Sequence, residues 1–418
     1  MIERNLHVIL LTLMRQSELF SKVSKSFPAD EEALNAKLLI RAGFINKEMA
    51  GVYSFLPLGL RVIRKIEAII REEMELAGGR EVLMPVLHPK ENWVTTKRWE
   101  SFDALYKVKA RDGREMALGP THEEIIFPLA KKLINSYKDL PISFYQIQDK
   151  MRDEARTKSG ILRGREFLMK DFYSFHADEA DLGKFYEKMK GVYARVFERL
   201  GLKARLVEAS GGTFSKYSHE FQVLTSVGED EIYFCDKCDF AQNKEVFGSA
   251  NQATCPSCKK GKIEVSNGIE VGNIFKLNTK FSDPFEVTYK DETGEEKPVF
   301  AGCYGIGISR VLGTVAELLN DERGLLWPES LAPFRVHLIE LEGGKGDVIY
   351  KDLQRAQVEV LYDDRKLTPG EKFAEADLIG IPWRLVVSKK TGEKVEVKRR
   401  DEEKAALVTL KEFLHLLK

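Results

Sequence analysis

Three sets of residues in this chain have the types and spacing to do chemistry. The first lies in Phe144–His176, FYQIQDKMRDEARTKSGILRGREFLMKDFYSFH. Phe144–Asp149 alternates apolar and polar residues and reads as a strand, and Phe167–Phe175 is an apolar run broken by Lys170 and Asp171 that reads as a second. Arg152 and Glu154 follow the first strand, and Arg163 closes a loop, Ala155–Gly164, with two Gly, a Ser and three cations. Guanidinium stays charged and grips phosphate oxygens in a fork, so anchored arginines around such a loop suit a polyphosphate. Phe167 and Phe172 offer flat faces to a base. A solvated hairpin with ordinary surface charge is the competing reading. The second set is Gly302, Gly305 and Gly307 in FAGCYGIGISR, followed by Arg310 near the start of an apolar helix. Glycines let a strand approach a ligand closely, and a helix start favours an anion. The third set is Cys235, Cys238, Cys255 and Cys258, two C-x2-C pairs sixteen residues apart. That spacing suits a tetrahedral zinc site, structural because four thiolates leave no open position; an iron–sulfur cluster or four free thiols are the alternatives. Lys237, Lys259 and Lys260 offset the thiolate charge.

The elements that must position these groups follow from periodicity. Asp30–Ala42 reads as a short amphipathic helix with an acidic first turn, stopped by Gly43. Leu58–Leu76 has helical spacing and ends at Gly78-Gly79; REVLMPVLHP then reads as one short strand closed by prolines. In LGPTHEE, Leu118–Glu124, Thr121 reads as a cap for a helix starting near Glu123, or as part of a site in which a carboxylate meets an amine. Asp178–Leu200 is a helix by period, and His219 beside Glu220 reads as a buried hydrogen-bonded pair.

The chain has 418 residues, 43% hydrophobic and 31% charged, which suits a soluble globular protein of two or three domains. Its formal net charge is zero, so any nucleic-acid surface has to be a local patch. Four of its five cysteines fall in the paired motifs, which points to metal rather than disulfides and to a reducing, cytoplasmic setting. No stretch approaches a membrane span, and LHVILLTLM is short and lacks a cleavage site.

Arg152-Asp-Glu154, then Arg163-Gly-Arg-Glu-Phe167 and Asp171, resembles motif 2 of the class II aminoacyl-tRNA synthetases. YQIQDKMRDE and REFLMKDFYSFH are similar to the bacterial prolyl-tRNA synthetases in particular. Long helix, strand and Pro from Leu58 to Pro89 resemble motif 1, and Gly302–Arg310 resembles motif 3. The resemblance covers residues 14–418, with MRQSELFSKVSKSFPAD from Met14 similar to the family's ordinary N-terminus. It implies an α+β fold: an antiparallel sheet flanked by helices, a small four-cysteine module, and a C-terminal α/β anticodon-binding domain. The expected division is 1–13 as a loosely ordered extension, 14–330 as the catalytic domain with the cysteine module at 232–264, and 331–418 as the anticodon-binding domain.

The implied function is ATP-dependent attachment of L-proline to tRNA(Pro), with Mg2+ beside ATP and structural Zn2+ on the cysteines. Arg152 and Arg310 are the implied catalytic residues. Thr121, Glu123, Arg152, His176 and Cys303 are implied for proline, and Arg152, Glu154, Arg163, Phe167 and Arg310 for ATP. Glu220 borders the site, and Asn278 stands where the family usually has Gly. Asp364, Arg365, Lys372, Lys398, Arg399 and Arg400 are candidate anticodon contacts. Motif 1 implies a homodimer. The interval between motifs 2 and 3 holds only the cysteine module, with no room for the family's inserted editing domain, which implies misactivation of alanine and a separate trans-editing deacylase. A synthetase for another amino acid, or a non-catalytic RNA-binding paralogue, are the alternatives.

Overall fold

The computed structural model describes residues 13–157, 159–212, 214–215, 217–248 and 253–417. By contact the chain falls into two compact units: one takes in the chain up to Met49, Tyr53–Lys65 and everything from Val315, and the other takes in Ala50–Val52 and Ile66–Thr314.

The second unit is built on a nine-stranded sheet, largely antiparallel. Its centre is the strand pair expected from alternation, now Ile142–Met151 and Glu166–His176, paired antiparallel from Ile142↔Phe175 to Met151↔Glu166. Phe300–Gly307 lies on the other side of Glu166–His176, with Cys303 opposite Tyr173, and the sixteen-residue strand Ile263–Asn278 follows it. Because successive side chains alternate faces, the two faces have different cores. Tyr173, Phe175 and Cys303 pack with Phe127 of the helix Glu123–Leu133. Phe172 and Tyr304 instead meet Phe185 of the helix Glu179–Arg199. Phe172 is fully buried and stacks between Tyr145 and Phe185, so it is a core residue and not a platform for a base. REVLMPVLHP is not one strand: Arg80–Glu81 pairs with the large sheet, whereas Leu87–Pro89 belongs to a separate three-stranded sheet with Glu115–Leu118 and Tyr106–Lys109. Pro85, between them, cannot donate to a ladder.

Lys170 is fully buried on the helical face, its ammonium donating to Tyr193 Oη (2.5 Å) and the Tyr304 carbonyl (3.0 Å). Burial pushes its pKa down to about 7. A lysine in the unfolded chain keeps its proton to about 10.4. Between those values the unfolded state binds more protons, so this residue's contribution to stability rises with pH. In urea unfolding, the midpoint gap between wild type and Lys170→Met is expected to move toward the wild type from pH 7 to pH 9; a gap independent of pH would contradict this.

The other unit carries a six-stranded sheet in the order Leu13–Arg15, Val360–Asp363, Val336–Glu340, Trp383–Val387, Val395–Arg399, Ala406–Val408. The first four strands are parallel and the last two antiparallel, giving the expected mixed sheet. Residues 1–12 of the expected extension lie outside the described residues, while Leu13 opens an edge strand in register with Val360. The first helix runs Leu34–Arg41 and lacks the expected acidic first turn. The Glu31 carboxylate instead accepts from the amides of Glu32 and Ala33, so the chain is turned before the helix begins. Asn35 then bonds Glu317 through both its backbone and its side-chain nitrogen.

Candidate active site

The candidate site residues gather on two sides of Arg152. The strand Ile142–Met151 is tied to the preceding loop by a bond from Met151 N to the Gly119 carbonyl (3.1 Å), and Arg152 Nε donates to the Pro120 carbonyl (3.3 Å). Those two bonds bring Thr121 and Glu123 beside the start of the cationic loop. Thr121 does not cap the helix: the capping position falls on His122, whose side chain makes no capping bond, and the Thr121 hydroxyl donates to Glu123 Oε2. Cys303 Sγ donates to the other Glu123 oxygen (3.2 Å), and burial pushes that thiol well above its usual pKa. Cys303 and Thr121 thus line a fully buried carboxylate at Glu123. His122 is structural. Its ring accepts from Lys150 Nζ (2.7 Å) and donates to the Pro85 carbonyl (3.1 Å), and Lys150 also pairs with Asp171 (2.7 Å).

On the other side of Arg152 opens a cleft. Arg152, Glu154, Arg163, Phe167 and Arg310 all line it, together with Glu270, which no motif in the sequence marks. Phe167 packs under the Arg152 guanidinium, 5.1 Å from ring centroid to Cζ. Glu154 accepts two bonds from Arg163 (2.9 and 3.0 Å). Arg310 lies in the first turn of the helix Ile308–Leu318 and is held by the Leu162 carbonyl (2.8 Å), the Glu270 carbonyl (2.9 Å) and Glu270 Oε2 (3.0 Å). Burial, and then the positive charge of Arg310, lower the pKa of Arg152. Two guanidiniums in one cleft call for an anion. A Cβ on Gly305 would sit 2.5 Å from Met169 Cε and 2.8 Å from Asn273 Oδ1, so a larger residue there would have to displace the ends of those two side chains at the floor of the cleft.

Three sequence expectations change here. His176 lies on the opposite sheet face from Tyr173, bonded to Asp181 (2.7 Å) and against Phe185, away from Glu123. His219 and Glu220 also point to opposite faces, His219 to Tyr186 Oη (2.8 Å) and Glu220 to Gln222 (2.9 Å). Glu220 lies next to Glu270 and Asp230; burial and then those two charges push its carboxyl up to about 8. Asn278 takes φ +50°, at a bulge opposite Ala301. Asn enters the left-handed region more readily than other non-glycine residues, so it keeps a backbone that otherwise asks for Gly.

Most of the candidate anticodon contacts are engaged within their own unit. Lys372 is buried and bonds the carbonyls of Glu340 and Asp363, and Arg400 is buried against Asp321 (2.6 and 2.8 Å). Both are corrected to structural roles. Asp364 accepts from Arg15 and Ser17, and Arg365 pairs with Asp363 and Glu375. Arg399 pairs with Glu329 and Asp401 at a more exposed position beside Lys398.

Among the described residues, the four cysteines form the one group of three or more His, Cys, Asp or Glu placed to hold a metal ion, with their sulfurs all within 4.8 Å of one another. Cys235 and Cys258 are 3.7 Å apart and Cys238 and Cys255 3.6 Å. A tetrahedral ion with bonds of about 2.3 Å spaces its sulfurs about 3.8 Å apart, so the set fits one such ion. Backbone amides of Lys237, Cys258 and Gly261 donate to the sulfurs.

An antiparallel sheet with Arg152 and Arg310 in one cleft, joined in the same chain to a small mixed-sheet domain, defines a class II synthetase. Residues 106–318 match the tRNA synthetase class II core domain (G, H, P, S and T), and residues 343–418 match the anticodon binding domain. The chain is 36% identical to "Proline--tRNA ligase" of Halothermothrix orenii, over 93% of this chain and 95% of that protein. It is 35% identical to "Proline--tRNA ligase" of Persephonella marina over 97% and 100%, and 36% identical to that of Bacillus cytotoxicus over 96% and 98%. The chain belongs to the bacterial-type prolyl-tRNA synthetase family. The first of these alignments spans 544 positions against the 418 residues of this chain, so that relative carries a long stretch with no counterpart here. No helix among the described residues is long and apolar enough to cross a membrane.

Proposed function

We propose that this chain activates L-proline with ATP and transfers it to tRNA(Pro). The observation that carries the reading is the position of Arg152 between the buried Glu123 carboxylate and the arginine-lined cleft. Glu123, with Thr121 and Cys303, takes the secondary ammonium of proline. Arg152 bridges the proline carboxylate and the α-phosphate, Phe167 stacks on the adenine with Glu154 at its edge, and Arg310 takes the γ-phosphate. The carboxylate oxygen attacks the α-phosphorus and pyrophosphate leaves; a hydroxyl of the terminal ribose then attacks the prolyl carbonyl and AMP leaves. Positioning and charge neutralisation supply the rate, with no covalent enzyme intermediate. Asp230 and Glu270, crowded with Glu220 and with only Arg310 paired to Glu270, offer the hard oxygen donors that suit Mg2+, which would offset charge on the phosphates when bound.

The four thiolates hold one structural Zn2+, as a reducing cytoplasm allows. Leu76, Leu83 and Leu87, all exposed around the end of the long helix and the segment after it, support a homodimer through this region. Asp364, Arg365, Lys398 and Arg399 are the remaining candidates for anticodon contact. The test is amino-acid-dependent ATP–pyrophosphate exchange with proline, alanine, cysteine and threonine side by side. Strong exchange with proline is expected, and exchange only with another amino acid would overturn the specificity.

Proline and alanine differ by little apolar volume, and one pocket discriminates such pairs only about 10–200-fold. Purified protein is therefore expected to activate alanine measurably and to leave Ala-tRNA(Pro) uncleared until a separate deacylase is added. Rapid hydrolysis of Ala-tRNA(Pro) by this chain alone would contradict that expectation.

A further inference from the structure

The second acidic residue of the pocket, Glu124, is not used by the reaction above. It is fully buried beside Glu123, and both face the buried guanidinium of Arg98. Arg98 Nη1 is 2.8 Å from Glu124 Oε1 and 3.8 Å from Glu123 Oε2. Arg98 is not free to leave: its guanidinium carbon lies 4.9–5.3 Å from the ring centroids of Trp93, Phe102, Phe214 and Phe281. Thr96 Oγ1 donates to the same Glu124 oxygen (2.9 Å), which fixes that carboxylate toward Arg98.

This arrangement has a consequence for the substrate amine. Glu123 has a cation already at hand, and a guanidinium that closed the remaining distance would compete with a substrate ammonium for it. Within the room the four rings leave, the second carboxylate opposes that by taking the shorter ion pair. We infer that Glu124 is a positioning residue for amine recognition: it holds Arg98 off Glu123 and so keeps Glu123 available to the secondary ammonium of the substrate. The inference rests on the reading of Glu123 as the amine-binding carboxylate. With Glu124 ionised, Arg98, Glu123 and Glu124 together carry one net negative charge, and one bound ammonium neutralises it. The other titratable or charged groups around Glu123 are Cys303, Tyr173, Lys150 and Arg152. Burial pushes the Glu124 carboxyl up to about 7, against the pull of Arg98. Below that pH Glu124 is neutral and Arg98 has only Glu123 to pair with, so the KM for proline rises as pH falls through neutrality.

A charge-swap series on the full-length, metal-loaded protein tests this, read as the KM for proline and the KM for ATP in pyrophosphate exchange. Glu124→Gln keeps an acceptor for Arg98 but removes the charge; it is expected to raise the KM for proline about tenfold, the effect of one charged hydrogen bond, with the KM for ATP unchanged. It also removes the pH dependence of the KM near neutrality. Arg98→Met/Glu124→Gln removes the competitor together with its guard and is expected to return the KM for proline to within about threefold of wild type by the same reasoning. A KM for proline that Glu124→Gln leaves within twofold of wild type would overturn the inference. So would a double variant as impaired as the sum of the single ones, because a purely structural pair predicts no rescue. If wild-type protein shows no proline-dependent exchange, it is the reading of Glu123 that fails.

Discussion

Arg152→Ala is expected to lower proline-dependent pyrophosphate exchange by about 10³-fold or more, the range seen when an arginine that stabilises phosphoryl charge is removed. The size follows from its position. Arg152 lies between the buried Glu123 carboxylate and the arginine-lined cleft, tied to Pro120 on one side and packed over Phe167 on the other. Its loss removes the group that aligns the attacking carboxylate and leaves Glu154, Glu270 and Glu123 with less opposing charge. Arg152→Lys keeps a charge but not the fork, and is expected to recover only a small part of the rate. Arg310→Ala should fall mainly on the KM for ATP, because Arg310 is anchored at the far end of the cleft by Leu162 and Glu270. Arg163 is half exposed and already paired with Glu154 and Glu229, so Arg163→Ala should cost far less than either. Single-turnover measurement of adenylate formation separates these cases. An Arg152→Ala variant with more than a tenth of wild-type activity would remove Arg152 from the chemistry.

The elements that were legible in the sequence are those whose signal is local. Alternation marks the strand pair Ile142–Met151 and Glu166–His176, and helical spacing with terminal glycines marks Pro57–Leu76. Arg152, Glu154, Arg163, Phe167 and Arg310 were found because their spacing is itself the pattern, and all five line one cleft. Facing was not legible. Parity along Glu166–His176 says that Tyr173 and His176 differ in face, but which face meets Glu123 depends on the register Cys303↔Tyr173, set 130 residues away. Long-range burial was equally hidden. Lys372 and Arg400 look like RNA contacts until Glu340, Asp363 and Asp321 are brought against them by the fold. Arg98 carried no motif at all; only its aromatic surround and its two carboxylate neighbours mark it. The edge strand Leu13–Arg15 is three residues long, too short for any periodicity, and exists because Val360–Tyr362 offers a parallel edge.

Removal of the metal is expected to damage the ATP side of the site as well as the cysteine module. Asp230–Cys235 pairs with Ile263–Gly268, from Cys235↔Ile263 at the metal end to Asp230↔Gly268 at the other. Asp230, Gly268 and Glu270 line the cavity that continues from the cleft, so the strand that ends at Cys235 and the strand paired with it both carry carboxylates to that cavity. Chelation, or Cys255→Ser, should release one equivalent of metal per chain, measurable by elemental analysis. Metal binding is worth about 10–16 kcal/mol in isolated zinc modules, but here the strands are also held by the sheet, so only a part of that should appear as stability. A loss of about 3 kcal/mol would lower the thermal midpoint by roughly 6–12 °C for a unit of this size. The KM for ATP should rise more than the KM for proline, because Glu123 opens the helix Glu123–Leu133 and Cys303 lies one strand beyond Ile263–Asn278, farther from the thiolates. Gly261→Ala offers a way to strain the centre without deleting a ligand: a Cβ there would fall 2.2 Å from Cys235 Sγ, so the sulfur must leave its place. It should reproduce the metal loss and the rise in KM for ATP. If chelated protein keeps its thermal midpoint and both KM values, the four cysteines do not brace the cleft, and the register of these strands is held by the sheet alone.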